Sequence, residues 1–194
     1  GKPVNKIGAS AFYHCAGLAS VAIPDSVAII GGSAFAGCAG LNAVTIGAGV
    51  TAIGGGAFSG CAQLTAIHAD PGNPGYLSAD GVLFNKAQTI LVAYPAGKGA
   101  EYTLPASVTG IEYGAFAGCT RLTAIHADPG NPAYSSAGGG LCNKAQTVLV
   151  AYPAGKGAEY AIPAGVTGIG AGAFSGCAGL TSVTIGASVT AIAS

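Results

Sequence analysis

The sequence predicts an α/β repeat solenoid that is β-rich, with short helical or 3-10 turns and a curved parallel sheet on one face. The first observation is internal repetition, because the dipeptide Ala-Phe recurs at spacings of 23, 23, 58 and 58 residues. The second is that a Cys follows each of these Phe residues by three positions, and a Leu follows each Cys by three. So many matches at fixed offsets indicate stacked repeats, since one repeat cannot bury its own apolar face.

A strand is predicted in every repeat. After each Leu comes a short run such as Leu41…Val44-Thr45-Ile46, with apolar residues at its first, fourth and sixth positions. These positions point inward in a coil that turns back on itself. The Ala-Phe-x-x-Cys segment is predicted to form one turn of α-helix or 3-10 helix.

A longer unit is nearly duplicated, because residues 64–107 and 122–165 are identical at 35 of 44 positions. In the first copy, a polar turn at 85–88 separates two apolar runs, which predicts an inserted hairpin. A turn is also predicted at 70–74, where Gly72 or Asn73 can take a positive φ. We therefore predict one solenoid over 1–194, with 23-residue repeats in 1–63, 58-residue repeats in 64–121 and 122–179, and a partial repeat in 180–194.

Residues 7–27 carry a specific pattern, Ile-Gly-x-x-Ala-Phe-x-x-Cys-x-x-Leu-x-x-Val-x-Ile-Pro-x-x-Val. This pattern resembles the BspA-like (Treponema-type) leucine-rich repeat family, and residues 72–98 resemble its long-repeat variant. The second long unit departs from the variant at Gly138, Gly140 and Cys142. The resemblance implies a leucine-rich-repeat fold and a secreted or surface-exposed bacterial protein. It also implies adhesion and protein binding rather than catalysis.

The charge balance excludes several classes of partner. Only 7% of residues are charged, and seven Lys and Arg balance seven Asp and Glu. Nucleic acids and anionic membranes need clustered Lys and Arg, so neither is an expected partner. No apolar run approaches the roughly 20 residues that span a bilayer, so this segment is not expected to insert into a membrane. Because the chain ends partway through a repeat, we expect it to be part of a longer protein.

Candidate chemical groups are few. Five of the six Cys share one repeat position, which favours a buried column of thiols over disulfides. No Cys-x-x-Cys or phosphate-binding loop is present, and we expect no metal, cofactor or catalytic residue. His68 and His126 each precede an Asp by two residues, but lie three predicted strand steps apart, about 14 Å. One metal ion cannot bridge that gap.

What remains is a surface of outward strand residues, and solenoid sheets suit extended protein ligands. The predicted columns include Leu91, Ala93, Leu149 and Ala151 as outward residues. The predicted ligand-binding residues of this face are His68, Asp70, Glu101, Thr103, His126, Asp128 and Glu159.

The leading hypothesis is a non-enzymatic adhesin segment, extracellular or on the bacterial cell surface, that binds host or extracellular-matrix proteins. A rigid spacer that projects another domain is the alternative. Tyr94 and Tyr152 could stack on sugars in a carbohydrate-binding module, but the repeat register points them inward. A His/Asp hydrolase is the least favoured hypothesis, and the oligomeric state is open.

Overall fold

A computed structural model describes residues 3–193 and shows a β-solenoid of about eight turns. Nineteen short strands lie in these residues, with no helix among them, so the predicted α/β class and helical turns are wrong. The predicted solenoid limits at residues 1 and 194 lie outside the described residues.

Seven strands form one side of the solenoid, here called the strand face. All pair in parallel and carry the predicted alternation, with Val44 and Ile46 fully buried beneath exposed Thr45. The strands are β2 (Ser20–Ile23), β4 (Ala43–Ile46), β6 (Ala66–Ala69), β10 (Glu101–Leu104), β12 (Ala124–Ala127), β16 (Glu159–Ala161) and β18 (Ser182–Thr184).

The strand face is broken into three sheets, β2-β4-β6, β10-β12 and β16-β18, where one curved sheet was predicted. The cause is the inserted hairpin. On the free edge of β6, Ile67 N–H donates to the Gly81 carbonyl at 2.8 Å, and Ala69 N–H donates to Ser78 Oγ at 2.7 Å. Because the hairpin takes these donors, β10 cannot pair with β6. The same break follows β12.

The other twelve strands form three further sheets. They are the parallel sheet β1 (Lys6–Ile7), β3 (Ile29–Ile30) and β5 (Ala52–Ile53); the mixed sheet β7 (Tyr76–Ala79), β8 (Val82–Asn85), β9 (Ile90–Ala93) and β11 (Gly110–Ile111); and the mixed sheet β13 (Tyr134–Ala137), β14 (Gly140–Asn143), β15 (Val148–Ala151), β17 (Gly168–Ile169) and β19 (Ala191–Ile192). Pairing between β9 and β11, and between β15 and β17, joins each long unit to the coil that follows it.

The predicted hairpin is confirmed, since β8 and β9 are antiparallel on either side of residues 86–89. Sequence reasoning missed β7, which precedes it. The turn between β7 and β8 places Asp80 and Gly81 at φ 49° and 73°. Asp-Gly is the dipeptide favoured where both central residues need a positive φ. Gly138 and Gly139 take the same conformation, so the second hairpin forms despite its departures in sequence.

The Ala-Phe-x-x-Cys segments form a ladder of turns, here called the turn face, instead of the predicted helical turns. In residues 31–38, every second N–H donates to a carbonyl three residues earlier. The N–H groups between them donate to the next coil at 2.8–3.1 Å. Ser33 and Gly37 also have φ of 54° and 73°, which a right-handed helix forbids. Stacking of the coils therefore takes the donors that a helix needs.

The core runs along the solenoid between these faces. Phe35 is fully buried, and its ring stacks on Phe12 at 5.1 Å and on Phe58 at 5.6 Å between centroids. In the long units, Tyr94 and Tyr152 are buried in the same interior, as the repeat register predicts. These two rings cannot stack on a sugar in solution.

Candidate functional site

The strand face is the candidate functional site, because its outward side chains are exposed and are not used in the core. Most of them are small or polar. The exposed outward residues are Ser20, Ala22, Thr45, His68, Glu101, Thr103, His126, Glu159, Ala161, Ser182 and Thr184. Such a face can make many weak polar contacts with an extended partner.

Three predicted site residues meet on the neighbouring strands β10 and β12. Thr103 lies directly opposite His126, and Glu101 lies opposite Ala124. His126 Nε2 lies 3.6 Å from Glu101 Oε2, with the side chains 46% and 72% exposed. An exposed pair of this kind contributes little to stability, so these groups are free to exchange their contact for one with a ligand.

His68 repeats part of this arrangement on β6, where it lies opposite Thr45. It is exposed, but the hairpin tip separates β6 from the strand that carries Glu101. The structure therefore places His68 on the same side of the solenoid without joining it to the Glu101–His126 pair.

Asp70 and Asp128 hold turns. Asp70 Oδ1 accepts the Gly72 N–H at 2.7 Å, and Asp128 Oδ1 accepts the Gly130 N–H at 2.8 Å. Neither Gly72 nor Asn73 takes the positive φ that the turn chemistry allowed. The hydrogen bonds of the aspartate side chains hold the two turns in shape instead.

Glu159 begins β16, opposite Ser182 of β18. It occupies the position that Glu101 occupies in the first long unit, while Thr184 stands where His126 stands. No basic group pairs with Glu159 in residues 3–193. The second unit therefore offers an exposed carboxylate without its histidine.

The predicted columns are wrong at four positions. Leu91 and Leu149 are fully buried, and Ala93 and Ala151 are nearly so. The physical reason is that β9 and β15 pair with strands outside the strand face, so their side chains turn into the core.

Sequence reasoning missed three kinds of polar residue. Asn73 and Asn131 are completely buried. The identical sequence of residues 68–74 and 126–132 could have indicated that both asparagines have a structural role. Lys98 pairs with Asp80 at 3.0 Å and so ties the first hairpin tip to a neighbouring loop. Tyr113, 62% exposed, was detectable as an aromatic residue at a repeat position where the other coils have Gly or Ala.

The six Cys residues are free thiols. Of the five in the predicted buried column, three are buried, whereas Cys15 is exposed and Cys177 is half-buried; Cys142, outside the column, is also buried. Two of the buried thiols bond to the preceding coil: Cys38 Sγ donates to the Phe12 carbonyl at 3.0 Å, and Cys61 Sγ to the Phe35 carbonyl at 3.1 Å. This column of thiols thus links successive coils.

Thiol reactivity should follow this burial. Burial, with a smaller effect of Cys38, raises the pKa of Cys61 to about 12 from an ordinary value of 9.0. At pH 8 this lowers the thiolate fraction about a thousandfold, and the thiolate is the reactive form. We expect Ellman's reagent to modify Cys15 within minutes and Cys61 only after denaturation.

Mass spectrometry of peptides from timed reactions measures this order, and a Cys15→Ser variant should lose the fast phase. Equal rates for Cys15 and Cys61 in the folded protein would contradict the buried column.

Residues 3–193 contain no group of three His, Cys, Asp or Glu side chains placed to hold a metal ion. Within the same residues, we find no helix that is both long enough and apolar enough to span a membrane.

Three bacterial leucine-rich repeat proteins of known structure are similar to this chain. A leucine-rich repeat protein of Eubacterium ventriosum is 25% identical, with a TM-score of 0.53, over 90% of this chain and 50% of that chain. A leucine-rich cell surface protein of Faecalibacterium prausnitzii is 26% identical, with a TM-score of 0.43, over 98% of this chain and 61% of its own. The T. pallidum leucine-rich repeat protein is 23% identical, with a TM-score of 0.45, over 99% and 68%. The chain thus spans about half the length of the Eubacterium protein.

No curated protein gives a significant match to the sequence. The family model of the BspA type leucine-rich repeat region matches six copies, over residues 3–76, 96–136 and 155–194. These copies cover most of the chain and include all seven strands of the strand face. The chain therefore belongs to the BspA-type leucine-rich repeat family.

Proposed function

We propose that this chain is a non-enzymatic binding module, secreted or on the bacterial cell surface, that engages host or extracellular-matrix proteins through its strand face. The observation that carries the proposal is that the polar residues fall into two groups, one that stabilises the fold and one that is exposed to solvent. Buried Asn73 and Asn131 and the turn residues Asp70 and Asp128 serve the fold. The exposed side chains of His68, Glu101, Thr103, His126 and Glu159 make no comparable structural contact.

Membership of the BspA-type family supports the repeat-binding part of this proposal, because stacked coils present a long, rigid surface. Small and weakly charged contacts predict modest affinity for each module. Several modules on one surface would then supply strength through avidity.

The test is capture of proteins from a panel of extracellular-matrix and serum proteins by the immobilised chain at physiological salt. Circular dichroism first establishes that the immobilised protein is folded. We expect at least one saturable partner. A folded chain that captures none of the panel contradicts the proposal.

The spacer remains the second candidate, and a specific observation favours it. Hydrogen bonds join successive coils along the turn face, for example Phe12 to Ala34 at 2.7 Å and Phe35 to Ala57 at 2.8 Å. Coils tied in this way resist bending. A folded but non-binding chain that shows a rigid rod in small-angle scattering would support this function.

A further inference from the structure

The turn face carries a crevice in each long unit. Gly56 N–H donates to the Tyr113 carbonyl and Gly60 N–H to the Ala117 carbonyl, so the turn at 54–60 bonds directly to the turn at 112–118. The intervening segment, 93–97, stays inside the solenoid. A crevice forms above it, and a second one forms where the next turn passes over 151–155.

The two crevices differ in size. The first has a volume of about 10 Å³, which is room for one water molecule, whereas the second has about 80 Å³. The first is lined by Gly54 at the position where Glu112 lines the second. The second crevice is also lined by Tyr113, Val150, Gly172 and Ser175.

Tyr113 lies across the mouth of the second crevice. A Cβ atom added to Gly172 would lie 3.1 Å from Tyr113 Cε2, so the ring runs toward the following coil and lies close to the glycine there. On the other side, a Cβ atom on Gly55 would lie 3.4 Å from Tyr113 Cβ. Although the ring lies against Gly172, it remains 62% exposed. An aromatic ring is therefore presented to solvent beside a half-enclosed cavity.

Glu112 supplies a negative charge at the same place. It is exposed and makes no ion pair in the described part of the chain. Because Glu112 lines the second crevice, its carboxylate is an unpaired charge at that place among the residues described. At the two corresponding positions, the other coils have Gly followed by Ala or Gly.

We propose that the Glu112–Tyr113 crevice binds an arginine side chain of a partner protein. The apolar stem fits the cavity beside Val150, while the guanidinium stacks on the Tyr113 ring and pairs with the Glu112 carboxylate. Arginine suits this site better than lysine because its planar guanidinium stacks on aromatic rings and bonds carboxylates through two N–H groups. This site lies on the turn face and does not depend on the strand-face proposal.

The test uses a capped peptide, acetyl-Gly-Arg-Gly-amide, titrated into the full chain while NMR follows the ring signals of Tyr113 and, in every variant, the backbone amide signals of Gly114 and Ser175, which line the crevice. The matched probe is the same peptide with citrulline, which has the shape of arginine without its charge. We expect saturable shifts at millimolar arginine peptide and at least fivefold weaker binding of the citrulline peptide, since cation–π and exposed ion-pair contacts are each modest.

Two variants complete the design. Glu112→Gln should weaken arginine-peptide binding about fivefold, because it removes only the charge. The double change Glu112→Gly with Tyr113→Ala copies residues 170–171 of the last coil, so it should fold and bind no peptide. Unsaturable shifts in the wild-type chain, or equal binding of both peptides, would overturn the proposal whatever the strand face binds.

Discussion

Replacing Asn73 with Ala should destabilise the protein by about 4 kcal/mol, because four backbone groups, two in buried and two in half-buried hydrogen bonds, lose their partner at once. Asn73 Nδ2 donates to the carbonyls of Gly47 at 2.8 Å and Val50 at 3.0 Å. Its Oδ1 accepts the N–H groups of Gly75 and Tyr76, both at 2.8 Å. The side chain therefore fastens the turn at 70–76 to the preceding coil. The residue is completely buried, so its hydrogen bonds are shielded from solvent in the folded protein.

Urea unfolding monitored by circular dichroism measures this effect. Asn42→Ala is the matched control, because Asn42 is exposed and its amide makes one hydrogen bond, to the Gly40 carbonyl. We expect the control to change stability by about 0.5 kcal/mol or less. A loss below about 1 kcal/mol for Asn73→Ala would show that its hydrogen bonds do not hold the coils together.

The second large effect is expected for Phe35→Ala, at about 4 kcal/mol. The fully buried ring stacks between two others, nearly parallel to both, at interplanar angles of 2° and 5°. Truncation removes apolar surface and leaves a cavity between coils. Successive coils share the core, so the cavity weakens two coil interfaces rather than one.

Phe12→Ala makes a graded comparison, because Phe12 occupies the same repeat position but is 40% exposed and stacks on Phe35 alone. We expect it to cost about half as much as Phe35→Ala in the same urea experiment. If the two substitutions destabilise equally, the aromatic stack is not the core element described above.

Repetition made much of the fold predictable. The apolar positions of Leu41, Val44 and Ile46 are buried as predicted, and the polar turn at 85–88 does separate two antiparallel strands. Both features depend on local periodicity, which a single sequence displays directly.

The errors arise where groups distant in sequence compete for the same hydrogen bonds. The sheet breaks because Ser78 and Gly81 take donors of β6, and no local pattern reports this. The turn face is not helical because alternate N–H groups bond to the next coil. Asn73 was placed in a turn correctly, but its burial depends on how the coil before it stacks.

The candidate site was predictable in part for the same reason. Alternation along β10 and β12 placed Thr103 and His126 outward, and they are neighbours on the exposed face. The outward orientation predicted for Leu91 and Leu149 is wrong because their strands alternate with the same period but pair in a different sheet. Strand periodicity fixes which residues share a side, whereas pairing decides which side meets solvent.

The measurement that tests the functional account most directly is the affinity of a panel partner for three forms of the chain, by surface plasmon resonance. The forms are wild type, the strand-face variant His68→Ala/Glu101→Ala/His126→Ala, and a control variant Thr51→Ala/Lys86→Ala/Lys144→Ala, whose exposed residues lie outside that face. We predict that the strand-face variant loses at least about tenfold in affinity, or 1.4 kcal/mol, while the control stays within about twofold. Unchanged affinity of the strand-face variant would contradict the account and place binding elsewhere on the solenoid.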